Sequence, residues 1–116
     1  MQHSKNKRTL GRTRSQRTAL MRGLAVSLIE HGQIVTTTAK AKELRPFAER
    51  LVTYAKKGTV AARRNAATKL GEPKDVVIKK LFDEIAPKYA DRTGGYTRII
   101  KMGVKDGRDQ SVIELV

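Results

Sequence analysis

Seven cations, Lys5, Lys7, Arg8, Arg12, Arg14, Arg17 and Arg22, precede the first carboxylate of the chain, Glu30. The chemistry open to such a segment is neutralisation of a polyanion. A run of like charges repels itself, and a phosphate backbone relieves that repulsion while releasing its condensed counterions. Asn6, Thr9 and Thr13 add small polar groups that can reach phosphate oxygens, and Gly11 lets the backbone bend into a groove. The bland alternative is a solvated tail, which is compatible with ordering on a nucleic-acid partner.

Three further places have the residue types for anion binding. Thr36-Thr37-Thr38-Ala39-Lys40-Ala41-Lys42 sets hydroxyls and free amides at the start of a helical pattern, with Lys40 and Lys42 in its first turns. Ordinary capping by Thr37 explains the hydroxyls equally well. Arg63 and Arg64 extend the positive surface or form a plain wet helix face. Arg92, Gly94, Gly95, Tyr96 and Arg98 combine close backbone approach, a stacking plane and two flanking cations; the competing reading packs Tyr96 on the core. With three Tyr, two Phe and no Trp, a broad stacking platform is not expected, so recognition should rest on shape and phosphate contacts.

Enzyme chemistry finds little support. Zero Cys excludes disulfides and thiolate metal sites, and His3 and His31 alone do not make a metal centre. There is no phosphate-binding G-x-x-x-x-G-K-[ST], no H-E-x-x-H and no nucleophile elbow. We therefore expect no catalytic residues, no metal, no cofactor and no small-molecule substrate. The 25 Lys and Arg against 11 Asp and Glu give a net charge of +14, beyond what solubility requires and suited to a polyanionic partner. No apolar run approaches the roughly 18–20 residues of a membrane span, and no signal-peptide core follows the basic start. A cytoplasmic location without membrane contact is expected, and an organelle leader is the weaker reading because Leu10-Gly11 interrupts any amphipathic helix there.

The elements that must hold these residues follow from periodicity. Leu20, Leu24 and Leu28, flanked by Met21, Ala25 and Ile29, draw a helical stripe from about Ser15 to His31, with Ser15 or Thr13 as cap and Gly32 as stop. Residues 33–37 read as a β-branched strand feeding a second helix through Thr37 or Thr38. That helix reaches Lys57-Gly58, and Pro46 within it predicts a kink or two abutting pieces. Residues 59–70 and about 74–85 predict two more helices. Residues 96–101 and 111–116 then drop to period two around Gly103, Asp106 and Gly107, a hairpin that the strand at Ile34 can join. The expectation is one α+β domain over 15–116 and a basic extension over 1–14, about four helices packed on three strands.

Taken together these residues resemble the bacterial-type large-subunit ribosomal proteins of family seventeen, across nearly the whole chain. The resemblance is carried by Leu10-Gly11-Arg12, the helix around Leu20 to Leu24, the block from Ile34 to Arg45, then residues 80–87, Gly94-Gly95-Tyr96-Thr97-Arg98-Ile99 and the closing Ile113-Glu114-Leu115-Val116. Gln2, Gly11 and Gln16 depart from the family's usual Arg, Asn and His. The chain stops after its last strand, so no C-terminal extension is expected. The resemblance implies a two-layer domain with a small mixed sheet, an extension that penetrates ribosomal RNA, and a structural place in the large subunit beside neighbouring ribosomal proteins. The competing reading from another class is a DNA-binding architectural or regulatory protein, whose arm would enter a minor groove; a stand-alone RNA chaperone or a module on an acidic protein ranks third.

Overall fold

The computed structural model describes residues 13–116, so the proposed contacts at Lys5, Lys7, Arg8 and Arg12 lie outside the described residues. The first helix, α1, spans Arg14–His31. It is entered through a capping box in which Thr13 Oγ1 accepts from the Gln16 amide at 3.3 Å and Gln16 Oε1 accepts from the Thr13 amide at 3.1 Å. Arg14 is thus already helical, one residue before the expected boundary. Gly32, at φ +80°, ends α1 with its amide on the Leu28 carbonyl at 2.7 Å.

Strand β1, Gln33–Thr37, leads directly into α2, Thr38–Lys57, because Thr37 ends the strand and caps the helix, its hydroxyl accepting from the Lys40 amide at 3.3 Å. The helix runs through Pro46 as one element and not as two pieces. Proline removes a donor to the Lys42 carbonyl, but residue 42 lies on the exposed side, where water can replace it. The opposite stripe, Ala41, Leu44, Ala48, Leu51, Val52 and Ala55, is buried and makes α2 the hub against which the sheet and the other helices pack. Fully covering Leu28, Leu44, Leu81 or Ile113 stabilises the fold by roughly 1.5–3 kcal/mol each.

Helix α3, Val60–Lys69, is capped by Thr59 and closed by paired bonds from Gly71 to Thr68 and from Glu72 to Ala67. The expected fourth helix is a longer rod made of α4, Asp75–Lys80, a π-helical turn, Leu81–Ile85, and α5, Ala86–Lys88. Its buried residues, Val77, Ile78, Leu81, Phe82, Ile85, Ala86 and Tyr89, recur every fourth position. An ideal α-helix would rotate such a stripe by about 40° per step. The wider turn absorbs that drift, keeping the stripe on the core, and it sits just before Pro87, which cannot donate to a preceding carbonyl.

Strands β2, Thr97–Lys105, and β3, Arg108–Leu115, form a longer hairpin than the periodicity predicts. Asp106 and Gly107 make its turn, both at positive φ (+53° and +78°), as a two-residue turn between twisted strands requires. Gly103, expected in the turn, instead lies within β2 beside a register shift between Lys101 and Gly103. The sheet order is β1-β3-β2 and both pairings are antiparallel, so the sheet is antiparallel throughout and not mixed. Ile34, Ile113 and Ile99 line up across it on the core side, while Val35 and Ile100 face outward and are exposed. A buried 2.7 Å bond between the hydroxyls of Thr38 and Ser111 ties the start of α2 to β3.

Candidate nucleic-acid interface

The surface is built from helix starts that carry cations where acids are usual. The first turns of α1, α2 and α3 hold no acidic residue, although the free amides and the positive end of a helix favour one. Arg14 and Arg17 on α1, Lys40 on α2 and Arg63 on α3 stand there instead. Cations so placed oppose the helix dipole by about 0.3–1 kcal/mol each, an opposition that a bound phosphate would relieve by bonding both amide and guanidinium.

At α1, Thr13, Arg14, Ser15, Thr18, Ala19 and Arg22 line an open groove at the start of the helix. It contains hydroxyls and two guanidinium groups and no carboxylate. Arg17, half-buried beside it, has its Nε shielded from solvent with no hydrogen-bond partner among the described residues.

Arg22 closes the groove, with two of its nitrogens engaged. Nε meets the Lys69 carbonyl at 3.1 Å and Nη2 the Thr68 carbonyl at 3.4 Å, so the side chain completes the C-terminal cap of α3. Lys80 does the same for α1, donating to the Glu30 carbonyl at 2.7 Å.

Thr37, Lys40 and Lys42 gather at the start of α2. The Thr37 hydroxyl is used in capping, as the plain alternative held. Lys42 nonetheless lines a shallow hollow with Thr37, Thr38, Ala39, Arg108 and Asp109, which brings the beginning of β3 to the same place. Arg63 and Arg64 are exposed on α3, with the Arg63 guanidinium 5.2 Å from the Phe82 ring centroid.

The loop before β2 corrects one expectation. Tyr96 is 3% exposed, and a ring so covered cannot stack on a base. It packs at 5.2 Å against Tyr89, with Lys56 Nζ 5.1 Å from its ring centroid and 3.0 Å from its hydroxyl. Lys56 also donates to the Arg92 carbonyl. Arg92 and Arg98 flank this cluster on the exposed side, and Arg98 is paired with Glu114 directly across the hairpin.

Periodicity does not single out Lys101, Lys105 and Arg108, exposed along a hairpin longer than expected, or Lys69 at the end of α3, whereas Arg50 could have been found as an outward cation at helical spacing from Phe47 and Tyr54. Among the described residues no cluster of His, Asp and Glu is placed to hold a metal ion, and no helix is long and apolar enough to cross a membrane.

Residues 20–116 match the model of the Ribosomal protein L17 family. Over its full length the chain is 50% identical to the large ribosomal subunit protein bL17 of Fusobacterium nucleatum subsp. nucleatum, covering all of that protein. It is 52% identical to the bL17 protein of Zymomonas mobilis subsp. mobilis, covering 83% of it, and 51% identical to that of Trichlorobacter lovleyi, covering 94%. The match to the family model and a similarity that runs end to end lead to one placement: the chain belongs to the ribosomal protein L17 family.

Proposed function

We propose that the chain is a structural constituent of the large ribosomal subunit, binding large-subunit ribosomal RNA through its basic N-terminal extension and the cationic starts of α1, α2 and α3. The observation that carries this reading is the end-to-end similarity to large-subunit proteins in a chain of net charge +14. Its action is architectural and not catalytic. Cations offset phosphate repulsion where RNA segments pack closely, and the folded domain fixes where the extension enters. Neighbouring large-subunit proteins would then be its protein contacts, and the ribosome in the cytoplasm its location.

The disposition of the acids supports the same reading. Glu49 is turned inward to backbone amides and Glu114 is tied to Arg98, while Arg14, Lys42 and Arg64 face solvent. The test is sedimentation of a tagged copy through a sucrose gradient after a wash in high monovalent salt. Co-migration with the large subunit is expected, because an embedded protein resists salt that strips non-specific electrostatic binding. Release into the light fractions would overturn the reading.

A further inference from the structure

Between the middle of α2 and the C-terminal end of α3 lies a recess of about 170 Å³, lined by Phe47, Arg50, Leu51, Tyr54 and Lys69. Phe47 and Tyr54 are two turns apart on one face of α2 and half-buried, with their inner edges on the core, and Leu51 is buried between them. Arg50 and Lys69 are exposed. The side chains of Arg50, Tyr54 and Lys69 make no hydrogen bond or ion pair among the described residues, and no carboxylate lines the recess. A cavity of about 150 Å³ holds a single benzene ring, so this one has room for one aromatic ring system. The Lys69 carbonyl accepts from Arg22, which joins the recess to the far end of the cationic groove along α1.

We propose that this recess receives one unpaired nucleotide of an RNA strand that arrives along the α1 groove, its base against Phe47 and Tyr54 and its phosphates between Arg50 and Lys69. The proposal rests on the reading of the chain as an RNA-binding protein and goes beyond it by naming a base-accepting site on a chain otherwise suited to phosphate contacts. Unstacked bases are held on aromatic faces, and a neighbouring cation serves both the phosphate and the ring. An apolar side chain of a protein partner would fill the same volume but would leave two cations without counter-charge.

The experiment is ultraviolet cross-linking of large subunits carrying the full chain, followed by mass spectrometry of its peptides, beside binding of the full chain to large-subunit ribosomal RNA at fixed salt. A nucleotide adduct on Phe47 or Tyr54 is expected. Phe47→Leu and Tyr54→Leu, which keep apolar volume, should abolish that adduct and weaken binding roughly 5- to 150-fold, the range that loss of one base stack implies. Tyr54→Phe, which keeps the ring, should bind like the parent, and thermal unfolding of each variant separates lost stacking from lost fold. Adducts confined to the extension and α1, with both leucine variants binding normally, would overturn the recess and leave the RNA-binding reading standing. No adduct anywhere together with salt-sensitive association would overturn both. An amine-reactive link from Lys69 to a neighbouring protein seated over the recess would also overturn the proposal.

Discussion

Glu49 and Thr97 meet across 48 positions of sequence through two bonds to one carboxylate oxygen, 2.9 Å from the threonine amide and 2.7 Å from its hydroxyl. The other oxygen accepts from the Tyr96 amide at 3.2 Å. A single side chain of α2 thereby fixes where β2 begins. Glu49→Ala should cost about 2–3 kcal/mol, because hydrogen bonds to a charged group are lost and two backbone amides are left without that acceptor. Thr97→Val should cost about 1 kcal/mol, and the double variant less than the sum. Urea unfolding of the four proteins checks this.

The Tyr89 hydroxyl donates to the Val116 carbonyl at 2.5 Å. Burial raises its pKa above 10.0, with Glu49 adding to the rise and Arg92 opposing it. The folded state therefore holds this proton more tightly than the unfolded chain does. The resulting stability is fully present below pH 10 and is lost as pH rises through the folded-state value. Tyr89→Phe should be less stable at neutral pH by about 1 kcal/mol, the net value of a hydrogen bond, and the gap to the parent should narrow above pH 10. Melting temperatures of both proteins across that range give the comparison.

Gly71 sits at φ +79°, and a Cβ there would lie 3.0 Å from Arg22 Cδ. Gly71→Ala should destabilise the domain by about 1–2 kcal/mol from the left-handed backbone alone. It should also push Arg22 off the end of α3, so that Arg22→Ala adds little further in the same background. Chemical denaturation of the two single variants and the double variant measures that coupling.

Removing residues 1–12 preserves Thr13 and its capping box, whereas removing 1–14 takes the cap and the first helical residue together. The shorter cut should leave the melting temperature near that of the parent while sharply reducing incorporation into large subunits. The longer cut should cost an additional ~1 kcal/mol or so of stability, the usual value of an N-cap. Calorimetry and gradient sedimentation separate the two effects.

Most of the element order was legible because the signals are local. Gly32 and Gly58 stop helices at positive φ, Thr37 and Thr59 cap them, and the apolar stripe of α2 is written in its spacing. What escaped depends on contacts distant in sequence. The burial of Tyr96 requires Tyr89 and Lys56, the role of Arg22 requires the end of a helix 46 and 47 residues away, and neither leaves a periodic trace. The π turn could have been suspected, since a stripe repeating every fourth residue from Val77 to Tyr89 is too slow for an ordinary helix. The hairpin was read short because Gly103 looked like turn chemistry when it belongs to a bulge.

The strand order β1-β3-β2 places the last strand made between the two made before it. During synthesis β1 and β2 therefore leave the ribosome with no neighbour to pair with, and Thr38 waits for Ser111, 73 positions later, before its hydroxyl finds its partner. Helices can form early, but completing the sheet requires β3 to be free of the exit tunnel. The sheet thus waits for β3, and a product cut short before that strand would leave β1 and β2 with no partner between them, open to proteolysis.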